Sequence, residues 1–112
     1  MIKLYITDDQ ELYLEGLTLL LNKQEGLTVS GTSLSGTRLL EELPVLNIDL
    51  LLLDVHLSDI NEEELIKKIR AIKPHLPIIY LTMMRGTRFI HKLTKHGVQG
   101  YVLKNASIEE LK

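Results

Sequence analysis

The chain has 112 residues, 45% hydrophobic and 25% charged, with no cysteine and a formal net charge of −2. That composition suits one ordinary globular domain; it excludes disulfides, thiolate catalysis and cysteine-based zinc sites, and without a basic excess no direct nucleic-acid binding is expected. No apolar run approaches the roughly 20 residues of a membrane span and the N-terminal stretch lacks the length of a signal peptide, so no membrane partner is expected and a cytoplasmic location is the default.

Residues 3–7 form a short β-rich run that breaks at Asp8-Asp9. Leu12, Gly16, Leu17, Leu20 and Leu21 recur at helical spacing, which predicts an amphipathic helix over residues 10–23, ended by Gly26. Residues 27–32 read as a second strand, and Leu39, Leu40 and Leu43 line a short helix stopped by Pro44. Residues 48–54 contain Leu50, Leu51, Leu52 and Leu53 in succession and end on Asp54. A half-solvated strand would alternate, so this run predicts a central strand of a parallel sheet, buried on both faces. Asn61 and Glu64 resemble a capping pair for a helix whose apolar stripe is Leu65, Ile66, Ile69 and Ile72.

Pro74 and Pro77 frame a turn into a strand over residues 78–81, which ends at Thr82. A fourth helix is predicted over residues 87–96, with Arg88, Lys92, Lys95 and His96 as a solvated basic face and Gly97 as its stop. Residues 101–103 form a fifth strand ending at Lys104, and Ser107 opens a fifth helix that is cut short at Lys112. Strand and helix alternate throughout. The fold class is therefore α/β, one domain over residues 1–112: a doubly wound five-stranded parallel sheet with helices on both faces and the fifth helix truncated.

In open α/β sheets reacting groups gather at the carboxyl ends of strands. Here that rim collects Asp8, Asp9, Asp54, Thr82 and Lys104. Three converging carboxylates repel one another unless a cation intervenes, and oxygen-only ligands suit Mg²⁺. A carboxylate can itself be the nucleophile and form an acyl phosphate, while a hydroxyl and an ammonium suit the remaining phosphoryl oxygens. The chemistry this rim supports is phosphorylation of Asp54, with metal neutralising charge and Thr82 and Lys104 holding the product.

Over essentially its whole length the chain resembles the receiver domain (CheY-like) of two-component response regulators. Asp8-Asp9 match the family's acidic pair, Asp54 its phospho-accepting aspartate, Thr82 its switch hydroxyl, Lys104 its lysine and Tyr101 its aromatic switch position. Residues 8–17 and 100–107 are similar to the branch that carries a C-terminal helix-turn-helix domain of the LuxR/NarL type. The resemblance implies that a sensor histidine kinase phosphorylates Asp54, that Asp8, Asp9, Asp54 and the backbone carbonyl of His56 hold Mg²⁺, and that Thr82 and Tyr101 form the switch. It implies a signalling domain and not an enzyme, a DNA-binding output domain beyond Lys112 for transcriptional control, and leaves a homodimer open.

The departures from the family pattern carry expectations of their own. Ser58 stands where the family usually has proline and Glu62 where it has glycine, which predicts a less rigid loop after Asp54. Met83 is bulkier than the usual small residue and narrows access to the site. A receiver-like interaction module that is never phosphorylated is the alternative. A haloacid dehalogenase type phosphatase would need an acid where His56 stands, and a flavodoxin-like cofactor binder would meet repulsion between its phosphate and Asp8-Asp9.

Overall fold

The structure, a computed structural model, describes residues 1–54, 57–82 and 100–103. Within them five parallel strands lie in the order β2-β1-β3-β4-β5. They are β1 (Ile2–Thr7), β2 (Leu27–Ser33), β3 (Leu50–Asp54), β4 (Ile78–Thr82) and β5 (Gly100–Leu103). The first four are joined through α1 (Glu11–Asn22), α2 (Gly36–Glu42) with a 3-10 turn (Leu43–Val45), and α3 (Glu62–Ile72). The predicted fourth helix with its basic face, Met83, and the segment opened by Ser107 lie outside the described residues.

β3 is central, paired to β1 on one side and β4 on the other, and Leu51 to Asp54 are all buried, as a continuous apolar run requires. The two-residue period of a strand deals its side chains to opposite faces. Leu51 and Leu53 join Tyr5, Ile78 and Tyr80 beneath α2 and α3, whereas Leu52 joins Leu4, Ile6 and Leu81 beneath α1. A slip of one residue in β3 would exchange the two sets, so burial on both faces fixes the register.

Several local expectations are corrected. The central strand begins at Leu50 and not at Ile48. Asp49 is instead fastened to β1 through Lys3, donating its N–H to the Lys3 carbonyl at 2.8 Å while its carboxylate accepts from the Lys3 N–H at 2.8 Å. In α1 the buried residues are Leu14, Leu17 and Leu21, while Leu12 and Leu20 are 85% and 48% exposed. Leucines point to nearly every side of this helix, so spacing left its rotation open and packing against Leu4, Ile6 and Leu52 selects it. As expected, the second α-helix ends before Pro44, at Glu42, and Pro44 itself lies within the 3-10 turn, where its fixed φ and missing N–H are tolerated.

On α3, Asn61 caps as expected, accepting from the Glu63 N–H at 2.9 Å. Glu64, the other half of the expected pair, is bridged to Lys68 at 3.2 Å. Leu65, Ile66 and Ile69 are buried, and Ile72 is at the edge of the stripe.

Between α1 and β2 the chain turns through Gly26, whose φ of +83° lies in the region that favours glycine. β1 and β2 then shift register: Leu4 pairs with Val29 but Tyr5 with Gly31, so Ser30 is an extra residue, a bulge. The Tyr5 ring lies over Gly31, where a Cβ would stand 2.9 Å from its Cε2 atom. Its hydroxyl donates to Glu42, tying the sheet to the end of α2.

Candidate functional site

Strand order reverses between β1 and β3, because β2 lies outside the one and β4 outside the other. At such a switch point the connections leave in opposite directions and a crevice opens above the carboxyl ends of the two strands. Asp8 and Asp9 directly follow β1, and Asp54 is the last residue of β3. One carboxylate oxygen from each of the three lies within 4.8 Å of the others. Asp8 is 0% and Asp54 4% exposed, while Asp9 is exposed.

The β1 end of this cluster is fixed by local bonds. The Asp8 N–H donates to the Ser33 carbonyl at 3.1 Å, and the Thr7 and Ser33 hydroxyls meet in the interior at 2.9 Å. The Oδ1 atom of Asp8 accepts from the Gln10 N–H at 2.8 Å, the short-range turn that aspartate favours, and this turn leads the chain into α1. Like charges at this separation repel by about 3 kcal/mol at an effective dielectric constant of about 20. Three hard oxygen donors, one of them open to water, would fit Mg²⁺.

The charge reaches into α1. Burial, and after it the Asp8 and Asp54 carboxylates, raise the Tyr13 phenol above its usual range. Nothing in the sequence singled out Tyr13; its place in the first turn of the helix that follows Asp8-Asp9 was the available signal.

Thr82 closes β4, and since Asp54 pairs with Leu81, it stands one residue further along the strand next to the acid. Tyr101 lies in β5 opposite Tyr80. The structure thus brings Asp8, Asp9 and Asp54 together and sets Thr82 and Tyr101 on the strands beyond them. Lys104 and His56 lie outside the described residues.

The expected less rigid loop after Asp54 includes residues 55 and 56, which lie outside the described residues; residues 57–60 are hydrogen-bonded to α2 through Asp59. Asp59 accepts three hydrogen bonds from the first turn of α2: Gly36 N–H at 3.1 Å, Thr37 N–H at 2.8 Å and Thr37 Oγ1 at 2.6 Å. Desolvation alone would raise the Asp59 carboxyl, but the Thr37 and Gly36 donors together outweigh it and hold the group below its usual range. Sequence reasoning missed Asp59, because its partners lie 22 and 23 residues upstream and no local pattern announces them.

Comparison with known proteins gives a consistent result. A family model of the response regulator receiver domain matches residues 4–112. The transcriptional regulatory protein LnrK of Bacillus subtilis is 33% identical over 111 residues, covering 99% of this chain and 50% of LnrK. Response regulator GacA of Pseudomonas aeruginosa is 32% identical over 111 residues, 99% of this chain and 52% of GacA. The chain therefore spans about half the length of these curated relatives. RcsB from Salmonella enterica serovar Typhimurium, solved bound to a promoter in the presence of phosphomimetic BeF3-, superimposes with a TM-score of 0.87 at 29% identity, over 99% of this chain and 93% of that one. A LuxR-family two-component response regulator from an Aurantimonas species shares the fold, with a TM-score of 0.90 at 23% identity over 99% of this chain and 79% of that one.

Proposed function

Because the chain belongs to the receiver-domain family of two-component response regulators, we propose that Asp54 is its phosphoryl acceptor, charged by a histidine kinase and read by a DNA-binding output domain. The observation that carries this reading is the meeting of Asp8, Asp9 and Asp54 at the switch point between β1 and β3. Asp54 has the central strand behind it, so its carboxylate leaves from the most buried part of the sheet.

One Asp54 oxygen forms the new bond to phosphorus as the bond from phosphorus to the donor nitrogen breaks, and that nitrogen keeps the electron pair. Mg²⁺, held by Asp8, Asp9 and Asp54 with the backbone carbonyl of His56, would supply charge neutralisation at the phosphoryl oxygens. Thr82, one residue further along the neighbouring strand, is the hydroxyl for one of those oxygens, and Lys104, next after β5, is the ammonium for another. The phosphoryl group interacts differently with the two arrangements of Thr82, and Tyr101 follows it, which is what a two-state signal requires. The product stays on the protein, so this is a signalling domain and not a turnover enzyme. Control of transcription is the output supported by the transcriptional regulator LnrK and by promoter-bound RcsB.

The test is incubation of the 112-residue chain with Mg²⁺ and acetyl phosphate, followed by intact mass. The expected result is a gain of one phosphoryl group that Asp54→Ala abolishes. A parent chain that takes up nothing is the interaction module that is never phosphorylated, and an unchanged gain in Asp54→Ala would mean another acceptor.

A further inference from the structure

Resting on the reading of Asp54 as acceptor, we propose that Asp59 is a positioning residue for the acidic site: it fastens the loop after Asp54 to the first turn of α2 and thereby sets the Mg²⁺ affinity of Asp8, Asp9 and Asp54. Asp59 is not one of the converging carboxylates, so any such influence acts through the chain. Its three hydrogen bonds use both oxygens, one on Gly36 and the other on Thr37.

A second observation supports the same fastening without involving Asp59. The loop lies so close to α2 that a Cβ on Gly36 would stand 2.4 Å from Ile60 Cγ2 and 3.4 Å from Leu57 Cδ1. Leu57 and Ile60 also pack on the cluster beneath α2 and α3. Ser58 and Glu62 deny this loop the proline and glycine that the family resemblance leads one to expect, and the tether to α2 takes over the restraint that proline would give. The described part of the loop after Asp54, residues 57–60, is therefore held at the start of α2, and Asp54 itself at the end of the β3 ladder. Restricting a chain at both ends lowers the conformational freedom that must be lost when its groups are ordered around a cation.

The competing role is a plain helix cap. α2 already has one, since Ser35 Oγ accepts from the Arg38 N–H at 3.1 Å. The two roles differ in what they move. A cap affects folding stability alone, whereas a positioning residue also shifts metal affinity in the folded protein.

The experiment is Mg²⁺ titration of the 112-residue chain, followed by tyrosine fluorescence and by calorimetry, well below the melting temperature of each variant. Asp59→Ala should weaken Mg²⁺ binding by about tenfold, the scale seen when a group supporting a metal ligand is removed. Asp59→Asn, which keeps one accepting oxygen, should fall between the two. Thr37→Val removes only the Oγ1 bond and should shift affinity less, in the same direction; it decides the matter should Asp59→Ala not fold. Variants that melt lower but bind Mg²⁺ as the parent does would reduce Asp59 to a cap and overturn the proposal. A parent chain that binds no Mg²⁺ would instead remove the acceptor reading and this inference with it, and that failure is visible before any variant is made.

Discussion

The two faces of the sheet are built from the same strands under different rules. Beneath α1 the fully buried members of the described cluster are aliphatic, Leu4, Ile6, Leu14, Leu17, Leu21, Leu52 and Leu81, with Tyr13 packed at their edge. Beneath α2 and α3 the described cluster also contains Tyr5 and Tyr80, whose rings carry a hydroxyl into the interior. Aliphatic side chains reward any arrangement that excludes water, so they specify burial more strongly than orientation. A buried tyrosine rewards the arrangement that gives its hydroxyl a partner, as Tyr5 finds in Glu42 at the end of α2. One face is held by area, the other by area and position together.

The largest effects should come from truncation in each cluster. Ile69→Ala, at a position that is 0% exposed beneath α3, should cost about 4 kcal/mol in urea unfolding. Leu17→Ala, at 5% exposed beneath α1, should cost about 3 kcal/mol, because an aliphatic surround can collapse onto the space left behind. Equal costs, or the reverse order, would break the comparison.

Tyr5 gives the next effect, and it depends on pH. Burial first, and then the hydrogen bond to Glu42 and its charge, push the phenol from 10.0 up to about 12. The folded chain therefore keeps a proton that the unfolded chain releases over that interval. This contribution is complete below pH 10 and is lost as pH rises towards 12, a fall of about 2–3 kcal/mol. Urea midpoints near pH 9 and near pH 11 should separate in the parent and separate less in Tyr5→Phe, where the raised Tyr13 phenol leaves a residual slope.

A smaller effect belongs to the rim that both faces share. Mg²⁺ at ten times its dissociation constant should stabilise the folded chain by about 1.4 kcal/mol. Because Asp8, Asp9 and Asp54 extend from β1 and β3, which support both faces, Ile69→Ala and Leu17→Ala should be stabilised alike. Asp9→Asn should lose most of the gain. Thermal melts that coincide with and without Mg²⁺ in the parent would count against a cation at this rim.

The smallest effect is a near absence. Leu12→Ala, on the solvent side of α1 at 85% exposed, should change stability by less than about 0.5 kcal/mol, although its spacing marks it as a core residue. A cost of several kcal/mol would restore the rotation of α1 that the sequence suggested.

How far the sequence could be read follows the same division. The Leu50 to Leu53 run announced a strand buried on both faces, and the acids at strand ends announced the rim, because each signal is contained in a few consecutive residues. The stripe of α3 was legible at Leu65, Ile66 and Ile69, where charged residues mark the opposite side. α1 was misread because leucines at 12, 14, 17, 19, 20 and 21 cover most of its circumference beside the polar stripe of Glu11, Glu15, Thr18 and Asn22, so more than one apolar face was open to burial. Asp49 and Asp59 were illegible for another reason: each is an acid in a loop whose partners come from a distant part of the chain, Lys3 in one case and α2 in the other. Hydrogen bonds of that kind exist only once the fold has formed, and no periodicity records them.

The bulge at Ser30 and the ring of Tyr5 over Gly31 have a consequence for how this chain can vary. Any side chain at position 31 would meet the Tyr5 ring at 2.9 Å, and that ring is enclosed on its other sides and 1% exposed, so it has nowhere to retreat. A larger residue at position 31 becomes tolerable only after position 5 has become smaller, and the reverse order passes through a clash. The two sites form an ordered pair of steps: drift along one route is open, along the other it is closed. Descendants of this sequence should carry large-with-glycine or small-with-larger at these positions, linked across a distance in the chain that no local motif spans.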